Sequence, residues 1–278
     1  MDVLISAAEL ADRFSDVRLL DVRWTVMQPD GRPAYLEGHL PGAVFVDLDA
    51  DLADHSAAGR GRHPLPTPDA FQTSARRWGL NGGDSVVVYD DWNGQAASRA
   101  WWLLRAAGVS DVRILDGGWA AWQRFGGRIA TGAVVAEPGD VTITSLDGLA
   151  SVDINEVAVQ SKWGDIRILD ARASARYRGD EEPLDPRAGH IPGAVSAPTA
   201  ENINADGTFR IPAELRERFN ALGAGEGPVT VYCGSGVTAT HQIAALAVAG
   251  YAATLYPGSW SEWSSDPERP VATGPDPI

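Results

Sequence analysis

One run of residues occurs twice in this chain, and the repetition constrains the fold more than any other feature. Gly38-His39-Leu40-Pro41-Gly42-Ala43-Val44 returns as Gly189-His190-Ile191-Pro192-Gly193-Ala194-Val195. Around it, Leu20-Asp21-Val22-Arg23 returns as Leu169-Asp170-Ala171-Arg172, and Val86-Val87-Val88-Tyr89-Asp90 as Val229-Thr230-Val231-Tyr232-Cys233. Gly117-Gly118-Trp119 with Trp122 returns as Gly258-Ser259-Trp260 with Trp263. The order is kept while the offset drifts only between 141 and 151 residues, as changes in loop length would make it do. So long a period is not that of a solenoid. It implies two copies of one domain, 1–125 and 151–278, joined by a Gly-, Thr- and Ser-rich linker at 126–150. A chain of 278 residues has room for two.

Each copy alternates strand and helix. Arg18 to Val22 and Arg167 to Ala171 read as short apolar strands that end in Asp-x-Arg. Ser85 to Tyr89 and Pro228 to Tyr232 are β-branched runs of strand length. Helices are expected over Ala96 to Ala107 and Thr238 to Ala249, each stopped by a glycine, Gly108 and Gly250. Val112 to Leu115 and Ala253 to Tyr256 read as further strands. The expectation is an α/β fold, each domain a mostly parallel sheet flanked by helices.

The two halves act as controls for one another. A residue present in both serves the shared fold; one present in a single half, on a loop, is a candidate for chemistry. By this test His39 and His190, and Arg23 and Arg172, are structural. The tryptophan pairs Trp119/Trp122 and Trp260/Trp263, spaced i, i+3, belong to the core.

Cys233 differs: its counterpart is Asp90. It is the chain's one cysteine, so no intrachain disulfide and no Cys-x-x-Cys redox or metal pair can form. It follows a strand directly and opens Cys233-Gly234-Ser235-Gly236-Val237-Thr238, which runs into a helix. Ligands of doubly wound sheets bind at the carboxyl ends of strands. Gly234 and Gly236 let successive N–H groups turn inward, and a helix N-terminus adds positive potential, so the nucleophilic thiolate is favoured there. Phosphoester or arsenate chemistry in such a loop needs an arginine six positions after the cysteine; Ala239 stands there. Sulfur transfer needs only inward N–H donors.

Composition removes other classes. The basic residues are 22 Arg and the single Lys162, which has no glycine-rich loop around it. This leaves no Walker-type phosphate loop and no plausible Schiff-base lysine. With 23 basic against 37 acidic residues the net charge is −14, which opposes nucleic acid and anionic membranes as partners. The first residues lack a signal-peptide pattern, and the free thiol suits a reducing compartment, so a cytoplasmic protein is expected. Nothing calls for a metal or an organic cofactor.

Taken together, the Gly-His-x-Pro-Gly-Ala boxes, the Cys233 loop and Gly258-Ser259-Trp260-Ser261-Glu262-Trp263 resemble the two-domain rhodanese-family sulfurtransferases over nearly the whole chain. The resemblance implies two tandem rhodanese-like domains, the first inactive with Asp90 in the cysteine's place. Pro257, where many members have Asp, is a departure. Within the family, Cys-Gly-Ser-Gly-Val-Thr resembles the 3-mercaptopyruvate branch, whereas thiosulfate enzymes carry basic residues just after the cysteine. The implied site is Cys233 as nucleophile, with Gly234, Gly236, Val237 and Thr238 as its cradle. Arg176 and Arg187 would grip the oxo acid, and Ser235, His63 and Asp49 would form a proton relay, with Asp47 or Asp51 as alternatives to Asp49. The sulfur would pass to a thiol, to cyanide or to a small thioredoxin-like protein. Thiosulfate as donor, or a non-catalytic sulfur-carrying module, are the competing readings.

Overall fold

The computed structural model describes residues 2–277, with the backbone alone at Trp163. It divides into two compact units. The first comprises residues 1–54, 65–149 and 204–209, the second 55–64, 150–203 and 210–278.

In the first unit, β1 (Leu4–Ile5), β2 (Val17–Asp21), β3 (Val44–Phe45), β4 (Ser85–Tyr89) and β5 (Val112–Leu115) form a parallel sheet in the order β1-β5-β4-β2-β3. In the second, β6 (Arg167–Asp170), β7 (Val195–Ser196), β8 (Val229–Tyr232) and β9 (Thr254–Leu255) run parallel in the order β7-β6-β8-β9. The orders correspond if β1 is matched by the single bridge of Ser151 to Leu255. The helices Ala97–Ala106 and Thr238–Val248 follow the central strands β4 and β8. These strands are buried on both faces, which is why they read as continuous apolar runs. No helix among the described residues is long and apolar enough to cross a membrane.

The shared residues do shared work. His39 and His190 are fully buried; the Nδ1 of each lies within 2.9 Å of a tyrosine carbonyl, Tyr35 and Tyr177, and each ring stacks on that same tyrosine. Burial pushes the His190 pKa down, favouring the neutral ring. Arg23 pairs with Asp21 at the end of β2 and donates to the Gly38 carbonyl; Arg172 pairs with Asp170 at the end of β6 and donates to that of Gly189. Trp122, Trp260 and Trp263 lie in the cores, with Trp119 packed beside the first of them.

Two segments belong to a different unit from the one their sequence position suggests. Residues 55–64 group with the second unit and 204–209 with the first, while 126–149 pack with the first unit instead of standing apart.

Candidate active site

The second unit's sheet ends at Cys233, the residue after β8. Its thiol is 1% exposed, and its Sγ accepts the Gly236 N–H at 3.1 Å. Gly236 makes that turn possible. Its φ of +80° suits only a residue without a side chain, and a Cβ there would meet the Pro257 carbonyl oxygen at 2.4 Å. The loop then passes through Ser235 and Val237, both buried, into the helix Thr238–Val248. Val237 sits at the N-cap with no side chain capping the helix. The positive end of that helix is therefore left to whatever the loop holds.

A second turn braces the cysteine from below. The Trp260 N–H donates to the Cys233 carbonyl and the Ser261 N–H to that of Gly234, both at 2.9 Å. Ser259 accepts the Cys233 N–H on Oγ at 3.1 Å and donates to the Tyr256 carbonyl at 2.9 Å. It does so at φ +53°, a strained conformation for a residue with a side chain; the first half has Gly118 at the matching place, also at positive φ. The hydroxyl repays the strain. Ser259→Ala keeps the strain and orphans the Cys233 N–H, whereas Ser259→Gly loses the bonds but relaxes the backbone. We expect Ser259→Gly to be the more stable of the two by about 1 kcal/mol in urea denaturation. The reverse order would mean that the hydroxyl is not what holds this turn.

The arginines behave differently from one another. Arg176, in the helix Ser174–Arg178, donates through Nε and Nη2 to Glu182 and through Nη2 to Asp185 at 3.1 Å. Its Nη1 faces the Cys233 loop, 3.3 Å from where a Cβ on Gly234 would be. Arg187 points elsewhere. Its guanidinium donates to the carbonyls of Trp263, Ser264, Asp266 and Arg269, at 2.5 to 3.0 Å. It thereby satisfies the C-terminal carbonyls of the helix Ser259–Trp263.

His63 is buried in the second unit, its ring 5.8 Å from that of His55. Asp49 belongs to the first unit, where its carboxylate accepts the Trp24 indole N–H at 3.2 Å. Its neighbours are otherwise engaged: Asp47 caps the helix Leu48–Asp51, and Asp51 accepts from Ser74 and Arg77.

Three residues not singled out from sequence complete the site. Arg62 pairs with Asp185, and its Nη2 lies 3.1 Å from the same Gly234 Cβ position. Asp185 and Glu182 are the acidic groups behind the arginines. Burial raises the Asp185 pKa while Arg62 opposes it. The one sequence signal was the basic run Arg60-Gly61-Arg62-His63 in an acidic chain. Among the described residues no group of three or more His, Cys, Asp or Glu side chains is placed to hold a metal ion.

Comparison with known proteins agrees with this architecture. The family model described as "Rhodanese-like domain" matches residues 6–125 and again 153–266. A Mycobacterium tuberculosis protein named "Putative thiosulfate sulfurtransferase SseB" is 52% identical over 98% of this chain and 97% of its own. A Pseudomonas aeruginosa protein named "Probable 3-mercaptopyruvate sulfurtransferase" is 46% identical over 98% of each. Among solved structures, SseA from Escherichia coli, described as a 3-mercaptopyruvate sulfotransferase with the rhodanese fold, superposes with a TM-score of 0.84. It is 37% identical, over 94% of this chain and 100% of that one.

Proposed function

From a chain that belongs to the rhodanese-like family, with two copies of its domain, we infer a sulfurtransferase that takes sulfur from 3-mercaptopyruvate onto Cys233. The observation that carries the reading is the buried thiol at the end of β8, with the Gly236 N–H on its Sγ and an uncapped helix ahead of it.

The chemistry is covalent and runs in two stages. The Cys233 thiolate attacks the donor's sulfur, forming an S–S bond as the C–S bond breaks. The bonding pair leaves with the carbon as pyruvate enolate. The proton of the donor thiol ends on the pyruvate methyl, so thiolate and mercaptopyruvate become persulfide anion and pyruvate. In this reading Ser235 and His63 carry that proton. The backbone N–H groups from Gly234 to Thr238 and the helix N-terminus stabilise the charge on the sulfur. In the second stage a thiol, cyanide or a thioredoxin-like protein takes the outer sulfur and returns Cys233 to thiolate. A reducing cytoplasm suits such a cycle. Arg176 binds the acid end of the donor. Arg187 contributes by fixing the Ser259–Trp263 turn beneath the cysteine.

Thiosulfate is the alternative donor, favoured by the name of the Mycobacterium tuberculosis relative. Against it, no loop side chain from Gly234 to Thr238 is charged. A donor panel decides. With cyanide or a small thiol as acceptor, kcat/KM for mercaptopyruvate is expected to exceed that for thiosulfate by at least about tenfold, with one pyruvate released per sulfur transferred. A preference for thiosulfate refutes the donor assignment.

A further inference from the structure

The segment 55–64 is pinned to the second unit by its backbone. The Arg62 N–H donates to Ser261 Oγ at 3.0 Å, and Gly61, at φ +87°, comes so close that a Cβ on it would meet the Gly258 carbonyl oxygen at 2.6 Å. Arg60 adds an ion pair to Glu262 at 3.4 Å. The Arg62 side chain thus leaves a fixed point.

Its guanidinium shares a partner with Arg176. One oxygen of the Asp185 carboxylate takes Arg62 Nη1 and the other takes Arg176 Nη2. That carboxylate is only 2% exposed, while Arg62 is 33% and Arg176 16% exposed. A buried anion therefore holds two more accessible cations from behind. Glu182 takes the Nε and Nη2 edge of Arg176. One nitrogen of each arginine faces the loop: Arg62 Nη2 and Arg176 Nη1 converge on the Cβ position that Gly234 lacks, at 3.1 and 3.3 Å. Two like charges this close are costly unless an anion sits between them or behind them. Asp185 fills the place behind, and on the other side the two nitrogens meet Gly234, the residue that follows the nucleophile.

We propose that Arg62 and Arg176 together form the seat for the donor's carboxylate, Arg62 supplying the second guanidinium while Arg187 holds the helix end. This rests on the sulfur-transfer reading. A 2-oxo acid whose carboxylate lies three bonds from its sulfur can rest on this pair while the sulfur faces Cys233. Gly234 belongs to the seat by absence, since any side chain there would intrude between the two guanidiniums.

The test uses the full chain with Arg62→Ala, Arg62→Gln and Arg62→Lys. Mercaptopyruvate kcat/KM is expected to fall about 10- to 100-fold in Arg62→Ala and Arg62→Gln, mostly through KM. Arg62→Lys, which keeps the pair with Asp185 and so protects folding, should recover only part of the loss. A second readout does not depend on turnover: alkylation of Cys233 by iodoacetate, an anion, against iodoacetamide, its neutral analogue. The iodoacetate rate relative to iodoacetamide should drop at least about fivefold in Arg62→Ala, with the iodoacetamide rate unchanged. Near-native kcat/KM in all three variants overturns the seat. So does equal slowing of both reagents, which would make Arg62 a brace for the loop. An equal loss with thiosulfate and mercaptopyruvate overturns the carboxylate assignment. A wild-type protein that releases no pyruvate instead sinks the sulfur-transfer reading, and the alkylation ratio still reports on the seat by itself.

Discussion

Cys233→Ser is expected to abolish sulfur transfer from every donor, by on the order of 10⁴-fold or more in kcat/KM. The substitution is small and local. A serine hydroxyl can accept the Gly236 N–H that Sγ now accepts, so the loop and its helix should keep their form. What is lost is the sulfur nucleophile, and no second cysteine exists to replace it. The complementary measurement is mass. Incubation of the wild type with mercaptopyruvate should add about 32 Da, one sulfur, removable by cyanide, and Cys233→Ser should gain nothing. Transfer persisting in the serine variant would sink the covalent mechanism.

The second large effect lies in the unit without the cysteine. Asp90 follows β4 as Cys233 follows β8, and it is fully buried. One carboxylate oxygen accepts the N–H groups of Trp92 and Gly94 at 2.9 and 2.8 Å; the other accepts those of Ala96 and Ala97, both at 2.8 Å. Burial pushes this carboxyl's pKa up on balance, against the N–H groups of Ala97, Gly94 and Trp92, which pull it down. The side chain is a built-in acceptor in a nest of N–H groups, ahead of the helix Ala97–Ala106. Asp90→Ala leaves all four buried donors without their acceptor. A loss of about 3–5 kcal/mol is expected, a large part of the stability of an ordinary domain. Asp90→Asn keeps the shape but turns an amide NH₂ toward two donors, and should fall between. Denaturant titration reads both; an alanine variant within about 1 kcal/mol of wild type would show that the nest does not need its carboxylic acceptor.

Much of this was legible from the repeat. Parallel strands, their flanking helices and the structural duties of His39, His190, Arg23 and Arg172 follow from motifs that occur twice, because a residue kept in both copies must serve what both share. Comparison of the halves works less directly where they differ for structural reasons. Arg187 has no basic counterpart in the first half, and the cause is visible in the helix ends. The helix Gly118–Phe125 closes on Gly126 at φ +78°, a glycine cap that satisfies its last turn. The helix Ser259–Trp263 has no such glycine, and the Arg187 guanidinium takes its carbonyls instead. Beyond the basic run Arg60-Gly61-Arg62-His63, nothing in the local pattern marks Arg62. Its role depends on which unit residues 55–64 pack with, and no periodicity or turn signal encodes that choice.

That choice adds a second feature to the tandem of rhodanese-like domains. The backbone changes unit at residues 55, 65, 150, 204 and 210, so each unit is completed by a segment lent from the other's stretch of sequence. A gene cut at the apparent linker would yield a C-terminal fragment that has the nucleophile and its helix but lacks Arg62 and His63. The cysteine-free half of the sequence thus carries the ten-residue segment 55–64 that packs with the cysteine's unit, and removing that half removes Arg62 and His63 with it.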